Sequence, residues 1–276
     1  MSTIVNTGQA AAWNGPVGQH WAEHHDRYDA MLASFDAALF EAAAVKERDR
    51  VLDIGCGSGA TTRRAAGLAV HGRVTGVDIS EPLLARARAE SEGIMNVGYE
   101  WGDAQVHPFP AGGHDVAMSR GGVMFFADHI AALANIGRAL RPGGRLAFIC
   151  PQPAQPDGEE ARALGLLASL LSAPAPRAPE GVDLAAAMAS LSAPDRIRAV
   201  LEAARFEDVV VTGALAPTCW GADAEDAVDF YVSRHPGATV PETARAAMRD
   251  ALRPYETGRG VLLRAGVWVV TARRAG

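Results

Sequence analysis

The sequence predicts an α/β fold in which a mostly parallel sheet is covered by helices on both faces. Between residues 50 and 150, short apolar runs alternate with segments of helical periodicity. Such alternation implies right-handed βαβ crossovers and therefore parallel strands. The apolar run at 51–54 ends in glycines, as expected of a buried strand that stops at a tight turn. The chain has 276 residues, of which 49% are hydrophobic, so it can form a full core.

Residues 1–50 are predicted to form an N-terminal helical cap. Trp13 and Trp21 flank a short turn, and apolar positions recur at helical spacing from Trp21 onward. The next segment, 51–150, is predicted to be the core of the sheet. Its strands are expected at 51–54, 73–78, 97–101, 114–119 and 145–150, with helices at 61–68, 81–89 and 127–140. Ser80 is a suitable N-cap for the second of these helices, and glycines after Pro142 end the third.

After Cys150 the alternation stops. Residues 151–180 contain prolines at 151, 153, 156, 174, 176 and 179 around an apolar helix at 159–171. We expect 151–205, including a second helix at 194–204, to be a helical lid insertion. The last segment, 206–276, is predicted to complete the sheet with strands at 206–215 and 266–273. Between them, helices at 224–233 and 241–253 form a helical insertion at about 222–257.

A glycine loop follows the first predicted strand. Gly55, Gly57 and Gly59 are spaced as Gly-x-Gly-x-Gly, and Asp53 stands two positions before the first of them. Glycines allow a ligand to approach the backbone closely, and the N-terminus of the next helix favours a negative group. Asp53 suits a ligand that also carries a positive amino group, and it would repel a pyrophosphate. The pattern is therefore not that of a dinucleotide loop.

Three further motifs end the following strands, at the edge where α/β folds bind ligands. Asp78 could accept hydrogen bonds from ribose hydroxyls, although acids also end strands as helix N-caps. Asp103, within Gly102-Asp103-Ala104, could accept from an adenine amino group, or could form an Asx turn. The segment 119–126 combines glycines with bulky apolar residues that suit a planar ligand.

This succession of motifs resembles the class I S-adenosylmethionine-dependent methyltransferases. It is especially similar to the subgroup related to ubiquinone and menaquinone C-methyltransferases and to actinobacterial natural-product methyltransferases. The resemblance is carried by VLDIGCGSG, VTGVDIS, GDA, SRGGVMFF and LRPGGRLAF, and it covers the chain from about 50 to 150. It implies a Rossmann-like, seven-stranded sheet whose last strand, here 266–273, runs antiparallel. It also implies S-adenosylmethionine as the cofactor and S-adenosylhomocysteine as its product.

By that resemblance, cofactor contacts are expected from the N-terminal aromatic residues and from four loops. The expected residues are Trp13, Trp21, Tyr28, Asp53, Gly55, Cys56, Gly57, Gly59, Asp78, Ile79, Gly102, Asp103, Ala104, Ser119 and Arg120. The glycine loop would hold the methionine part, and Asp78 would bind the ribose. Ile79 would pack on the adenine, whose edge would meet Asp103 and Ala104. The last two residues in the series would lie near the sulfonium.

Methyl transfer from a sulfonium is an in-line displacement, so the protein mainly supplies positioning and exclusion of water. Where the acceptor needs a base, the catalytic candidates are His20, His24 and Tyr28, because they lie on the segment expected beside the cofactor. A single histidine at such a position more often has an ordinary surface or core role.

The predicted lid indicates the class of acceptor. Residues 151–260 are rich in Ala, Leu and Pro, include Met188, and lack basic clusters and aromatic stacking pairs. We therefore expect a small, apolar or aromatic acceptor, such as a secondary metabolite or a quinone-like compound. Transfer to carbon, nitrogen or oxygen is left open.

Composition excludes several other classes. The net charge is −6 and no Lys/Arg run is present, which argues against a nucleic-acid partner. The cysteines, Cys56, Cys150 and Cys219, are odd in number and widely spaced, so neither a disulfide framework nor a metal site is expected. With no signal-peptide pattern and no apolar run long enough to span a membrane, we expect a cytoplasmic protein without a membrane partner. A homodimer is left open, because the tryptophan segment and the lid each offer a contact.

Three alternative functions share part of the pattern. An NAD(P)-dependent Rossmann oxidoreductase would share the glycine loop and Asp78, but it leaves Asp53 and Asp103 unexplained. An RNA or protein methyltransferase is disfavoured by the negative net charge. A non-enzyme that binds the cofactor as a sensor would keep the cofactor motifs but would turn over no acceptor.

Overall fold

A computed structural model describes residues 3–153, 155, 158–171 and 183–276. The strands are β1 (Arg50–Ile54), β2 (Arg73–Asp78), β3 (Val97–Trp101), β4 (His114–Arg120), β5 (Leu140–Pro151), β6 (Phe206–Gly221), β7 (Glu256–Thr257) and β8 (Gly260–Arg274). The helices are α1 (Thr7–Asn14), α2 (Pro16–Glu23), α3 (His25–Leu32), α4 (Asp36–Ala43), α5 (Ala60–Leu68), α6 (Glu81–Glu90), α7 (His129–Ala139), α8 (Glu159–Leu170), α9 (Leu184–Ala189), α10 (Pro194–Ala203), α11 (Ala224–Ser233) and α12 (Glu242–Leu252). Short 3₁₀ turns occupy Ala33–Phe35, Val123–Phe125 and Arg253–Tyr255.

The strands form one sheet in the order β3-β2-β1-β4-β5-β8-β6. Strands β1 to β5 pair in parallel, and β8 lies antiparallel to both β5 and β6. The expected α/β sheet with an antiparallel last strand is thus confirmed. The two-residue strand β7, which pairs with β8, was not expected and brings the described strands to eight.

Successive strand residues are buried against opposite layers of helices. Leu52 and Phe148 belong to an apolar cluster on the side of α7 and α10, whereas Val51 and Ala147 belong to a cluster on the side of α4 and α5. All four side chains are fully buried. Because both faces are covered, the strands read as continuous apolar runs rather than alternating ones.

The domain boundaries expected from the sequence differ from the packing in two places. Helix α10 was assigned to the lid at 151–205, yet Ile197, Val200 and Leu201 pack in the same cluster as the central strands. Helix α4 was assigned to the cap at 1–50, yet Leu39 packs against the other face of the sheet. Each helix presents an apolar face, and the sheet offers the surface that buries it.

The lid forms a separate apolar cluster around the outer halves of β6 and β8. These two strands extend further than expected and pair from Phe206–Arg274 out to Gly221–Val261. Helices α8, α11 and α12 pack on this extension, and Leu167, Phe230 and Met248 are buried there. Part of the proline-rich segment expected in the lid, 172–182, lies outside the described residues. Within the described ranges, no helix is both long enough and apolar enough to span a membrane.

Candidate functional site

A cavity of about 250 Å³ lies at the carboxyl edge of the parallel strands, beneath α1, α2 and α3. This is the edge at which open α/β sheets bind ligands. The predicted cofactor residues that line it are Trp13, Trp21, Tyr28, Gly55, Cys56, Gly57, Asp78, Ile79, Gly102, Asp103, Ala104 and Arg120. The structure thus brings these residues, widely separated in sequence, to one place.

The glycines of the loop between β1 and α5 have different roles. All of them have positive φ, which favours glycine. A Cβ on Gly57 would meet nothing within 4 Å, so this is the position that a ligand can approach closely. A Cβ on Gly55 would lie 2.9 Å from the Cα of Gly122, which shows that Gly55 packs against the loop after β4. A Cβ on Gly59 would lie 2.3 Å from the Tyr99 hydroxyl, so Gly59 packs against β3, and it is not in the cavity lining formed by the described residues.

Asp53 lies beneath the glycine loop and is not in the cavity wall that the described residues form. Its Oδ2 accepts hydrogen bonds from the hydroxyls of Thr61 and Thr62, at 2.8 and 2.6 Å. Its Oδ1 is buried and has no hydrogen-bond partner among the described residues. Burial raises the pKa of Asp53 to about 6. A buried carboxylate oxygen of this kind is suited to balance a positive amino group.

Asp78 lies in the cavity wall and binds the backbone of the glycine loop. Its Oδ2 accepts from the Gly57 N–H at 2.8 Å, and its Oδ1 accepts from the Ser80 N–H at 2.8 Å. Burial raises the pKa of Asp78. Each oxygen keeps a further lone pair, so the carboxylate can still accept from a pair of ribose hydroxyls. Asp78 therefore ties the glycine loop to the start of α6 and keeps acceptor capacity on the cavity side.

Asp103 forms the Asx turn that the sequence analysis gave as one of two possibilities, and it also binds the N-terminal segment. Its Oδ2 accepts from the backbone N–H groups of Val5 and Asn6, at 3.0 and 2.9 Å. Its Oδ1 accepts from the Asn6 side-chain amide at 2.7 Å and from the Gln105 N–H at 3.0 Å. Four hydrogen bonds occupy the acceptor capacity of a carboxylate. Asp103 thus anchors the N-terminal segment. The hydrogen bonds from this segment occupy the carboxylate that was expected to bind the adenine amino group.

The last two residues of β4 have different roles. Ser119 is structural, whereas Arg120 is a charged residue of the cavity wall. Ser119 is fully buried, and its hydroxyl donates to the Ile54 carbonyl at 2.7 Å and accepts from the Gly122 N–H at 3.1 Å. Ser119 therefore fixes the two loops together and does not line the cavity formed by the described residues. Arg120 does line it, and its guanidinium is paired with Asp29 and Asp36.

A chain of aromatic rings forms one wall of the cavity. Phe125 and Trp13 meet edge to face with 5.4 Å between ring centroids, and Trp13 meets Trp21 in the same way at 5.6 Å. Trp21 then stacks on Tyr28 at 3.5 Å. These contacts join the loop after β4 to the cap helices. The wall is suited to cover a planar ligand.

The predicted catalytic residues lie partly behind this wall. His20 and His24 are absent from the cavity lining among the described residues. Tyr28 is in the lining, but its hydroxyl is hydrogen-bonded to His20 Nδ1 at 3.2 Å, and His20 Nε2 faces the Ser233 hydroxyl at 3.0 Å. Burial lowers the pKa of His20 and raises that of Tyr28. Direct contact of His20 or His24 with a ligand, as expected from the sequence, is not what the structure shows.

The lid contains tilted aromatic contacts, which the sequence analysis, concerned with stacking pairs, did not describe. Trp220 lies near Phe230 and Tyr231, with 6.5 Å between ring centroids in both cases. The residues are too far apart in sequence for a pattern to reveal the contact. They belong to the lid cluster rather than to the cavity that the described residues line.

Several cavity residues were not named as cofactor contacts from the sequence. They are Asn6, Gln9, His25, Asp29, Leu32, Ile54, Ser58, Thr61, Val77, Leu83, Gly121, Gly122, Met124, Phe125, Phe126, Ile149, Cys150, Pro151, Met188 and Val267. The end of β5 could have been inferred, because parallel strands share one ligand-binding edge. Asn6 and Asp29 carried no local signal. Among the described residues, no cluster of His, Cys, Asp and Glu could hold a metal ion.

Comparison with known proteins identifies the family of this chain. A family model described as a methyltransferase domain matches residues 51–144. The aklanonic acid methyltransferase DauC of a Streptomyces species is 33% identical over 150 residues, which cover 52% of this chain and 68% of that protein. The chain belongs to the class I S-adenosylmethionine-dependent methyltransferases.

Other methyltransferases are similar over part of their length. A 27-O-demethylrifamycin SV methyltransferase of Amycolatopsis mediterranei is 34% identical over 54% of this chain and 61% of its own. A demethylmenaquinone methyltransferase of Thermus thermophilus is 34% identical over 47% of this chain and 63% of its own. These two relatives are thus matched over less than two thirds of their length.

Solved structures show the same fold. The YcgJ protein of Bacillus subtilis aligns with a TM-score of 0.58 and 17% identity, over 87% of this methyltransferase and 98% of that chain. Phosphoethanolamine N-methyltransferase 2 of Haemonchus contortus, solved with S-adenosyl-L-methionine, aligns with a TM-score of 0.58 and 16% identity, over 98% and 60% of the two chains.

The residues of the cavity fit the methyl donor of this family. Gly57 leaves room for close approach, Asp78 has acceptor capacity for a ribose, and Asp53 has a buried oxygen without a partner among the described residues. Asp53 would act from beneath the loop, and the adenine would meet Ile79 and Ala104 rather than the occupied carboxylate of Asp103.

Proposed function

We propose that this methyltransferase transfers the methyl group of S-adenosylmethionine to a small, apolar or aromatic metabolite. The observation that carries the proposal is the composition of the cavity lining. It combines the groups that fit the cofactor, Gly57 and Asp78, with apolar side chains such as Phe126, Pro151 and Met188. An apolar pocket with few polar groups is typical of a site for a small apolar ligand.

The chain's own residues support transfer by positioning. Bound S-adenosylmethionine supplies an activated methyl group on its sulfonium. Asp78 would fix the ribose, and Asp53 would balance the amino group of the methionine part. The aromatic wall of Trp13, Trp21 and Phe125 would exclude water and hold a planar acceptor against the donor.

The relatives support a small-molecule acceptor. By their names, the similar proteins act on aklanonic acid, on a demethylrifamycin and on demethylmenaquinone. We infer that the acceptor of this chain is a natural product or a quinone-like compound of comparable character.

Tyr28, in the cavity wall, offers a hydrogen-bonded route for a proton released by the acceptor. Tyr28 lines the cavity, and its hydroxyl is bonded to His20, which is partly exposed. We propose that His20 acts through Tyr28 and has no contact with the acceptor. For an acceptor that must lose a proton, Tyr28→Phe is expected to lower kcat by roughly 100-fold or more. Tyr231 is a buried tyrosine of the lid cluster, so Tyr231→Phe should leave kcat unchanged. Equal rates in both variants would remove the relay from the reaction.

Mass spectrometry tests the proposed function. The protein is incubated with deuteromethyl-labelled S-adenosylmethionine and a bacterial metabolite extract, and small molecules that gain labelled methyl groups are identified. We expect labelled products of low polarity and thermal stabilisation of the protein by S-adenosylhomocysteine. Stabilisation by NADH alone would instead indicate an oxidoreductase. Label found only in RNA or protein would overturn the small-molecule acceptor, and tight cofactor binding without any labelled product would indicate a non-enzymatic role.

A further inference from the structure

The end of β4 carries a buried cation held by two carboxylates of the N-terminal helices. Arg120 donates hydrogen bonds to Asp36 Oδ1, at 3.0 Å, and to Asp29 Oδ1. The Arg120 side chain is 10% exposed, and those of Asp29 and Asp36 are 23% and 12% exposed. The Ser58 hydroxyl, in the glycine loop, donates to the other oxygen of Asp29 at 2.9 Å. We call Asp29, Arg120 and Asp36 the β4 charge cluster.

The sheet order places the β4 charge cluster at one end of the cavity. Asp78 ends β2, whereas Arg120 ends β4, on the opposite side of β1. Asp29 and Arg120 both line the cavity. A donor whose ribose is held at Asp78 must extend its amino-acid half toward the glycine loop and β4. Its sulfur, which joins the two halves, then lies on the path from Asp78 toward Arg120. This step rests on the proposed function.

The charge of Arg120 acts beyond its two partners. Burial raises the pKa of Asp53 beneath the glycine loop to about 6, and the Arg120 guanidinium opposes that rise. The same guanidinium, if unbalanced, would repel a sulfonium. Asp29 and Asp36 set two negative charges against it. Arg64, which contacts Asp36 at 3.3 Å, has a side chain that is 48% exposed and is therefore well screened by solvent.

The methyl donor and its product differ at the sulfur by one methyl group and one positive charge. Their adenosine and amino-acid parts are identical, so contacts to those parts cancel in the ratio of the two affinities. We propose that the β4 charge cluster shifts the ratio of the two affinities toward the charged donor and away from the neutral product. On methyl transfer the positive charge is lost, and with it this contribution to binding.

Calorimetric titration of the full chain with three ligands tests this inference. The ligands are S-adenosylmethionine, S-adenosylhomocysteine, and sinefungin, whose amine carries a positive charge in place of the sulfonium. Asp29→Asn leaves the Arg120 charge less balanced, so it should weaken both charged ligands relative to S-adenosylhomocysteine. Arg120→Met leaves two carboxylates, so it should strengthen them relative to the same reference. Each change should shift the affinity ratio by roughly three- to tenfold, since one charge acts through partly screened protein.

The opposite signs separate electrostatics from structural damage. A variant that merely loosens the cap would weaken all three ligands alike and leave the ratio unchanged. Asp115→Asn is the matched control, because Asp115 pairs with Arg50 and Arg141 at the opposite end of β4 from Arg120. Its ratio should equal that of the wild type. Asp36→Asn is a second variant, expected to move the ratio in the same direction as Asp29→Asn.

Each result decides the question. Opposite shifts for Asp29→Asn and Arg120→Met, seen with both charged ligands, support the inference. Unchanged ratios, or shifts of the same sign, overturn it while leaving the proposed function intact, because the ligands still bind. If none of the three ligands binds the wild type, the proposed function itself is wrong.

Discussion

Asp53 has one oxygen bonded to two threonine hydroxyls and another that no described residue satisfies. Its pKa, raised by burial to about 6, exceeds the ordinary value of 3.8. The folded protein therefore binds a proton at Asp53 more tightly than the unfolded chain does. Its negative charge costs stability above pH 6, and this cost disappears as the pH falls toward 4. The same charge is the one that a cofactor amino group can use.

We therefore expect opposite pH effects on folding and on binding. As the pH falls from about 7 to about 5, the free energy of unfolding of the wild type should rise relative to that of Asp53→Asn. Over the same range, the affinity of the wild type for S-adenosylhomocysteine should fall, because Asp53 loses its charge. Denaturant titration and calorimetry of both proteins at several pH values measure the two effects. Parallel curves for wild type and variant would show that Asp53 stays charged throughout.

The glycines of the loop allow a second comparison. Alanine at either Gly57 or Gly59 must adopt a left-handed conformation, at a cost of about 1–2 kcal/mol. Gly59→Ala also collides with Tyr99, so it should lower the melting temperature more than Gly57→Ala does. Gly57→Ala places its methyl in the open cavity, so it should cause the larger loss of affinity for S-adenosylhomocysteine. Thermal melts and calorimetry of the two variants check this order, and the reverse order would contradict it.

At this scale, the sequence identifies residues whose role depends on their neighbours in the chain. Gly57 and Asp78 were predicted as site residues because each belongs to a short motif at the end of a strand. The Asx turn of Asp103 was among the possibilities, whereas its bonds to Val5 and Asn6 could not be predicted because these partners are almost a hundred residues away. The charges that balance Arg120 come from α3 and α4, and no local pattern indicates that pairing.

The N-terminal segment before α1 is tied to the loop after β3. Asn6 is buried, lines the cavity and bonds Asp103, and its side-chain oxygen accepts from the Ala127 N–H at 2.7 Å. These contacts close the end of the cavity where the adenine is expected. A ligand entering or leaving at that end must displace the segment.

Asn6→Ala should therefore speed the dissociation of S-adenosylhomocysteine. The loss of the side-chain hydrogen bond from Asn6 to the Asp103 carboxylate, worth about 1.5–3 kcal/mol, predicts a rate increase of roughly tenfold or more. Stopped-flow displacement measures the rate, and hydrogen exchange of α1 should increase in parallel. Asn96→Ala is a matched control. The Asn96 side-chain amide donates hydrogen bonds to the carbonyls of Ala66 and Ala69, at the end of α5. If both variants release the ligand at the wild-type rate, the segment does not limit release.

Elements were predicted well where periodicity alone decides them. The strands at 73–78 and 97–101 and the helix at 224–233 have the expected bounds. The extent of β6 and β8 was underestimated, because their outer halves are defined by pairing with each other rather than by an apolar run. Likewise, α10 has an ordinary amphipathic pattern, and only the sheet next to it shows that it belongs to the core.

On the scale of the whole molecule, two apolar clusters cover the sheet and a third builds the lid. The cavity lies where the cap helices α1 to α3 meet the sheet edge, so cap and core must both be in place for a ligand to be enclosed. The parallel pairing of β1 to β5 could be predicted because alternating strands and helices imply βαβ crossovers. The allocation of helices to core, cap or lid could not, because it depends on which apolar faces meet.

Binding of S-adenosylhomocysteine should therefore protect particular parts of the molecule. A ligand present at about 100 times its Kd stabilises the folded state by about 2.7 kcal/mol. In hydrogen-exchange mass spectrometry, we expect the added protection in α1 to α3 and in the glycine loop, which form the cavity wall. Helix α12 should change little, because it packs in the lid cluster. Protection confined to α11 and α12 would place the ligand elsewhere.

The aromatic wall has a practical consequence. Trp13 and Trp21 both face the cavity, in ring contact with each other and with Phe125 and Tyr28. Their fluorescence should respond when a planar compound enters and changes the polarity around the indoles. The protein thus contains its own optical reporter, located where the acceptor is expected. Unlabelled compounds can be ranked by the change in emission that they cause, before any turnover is observed.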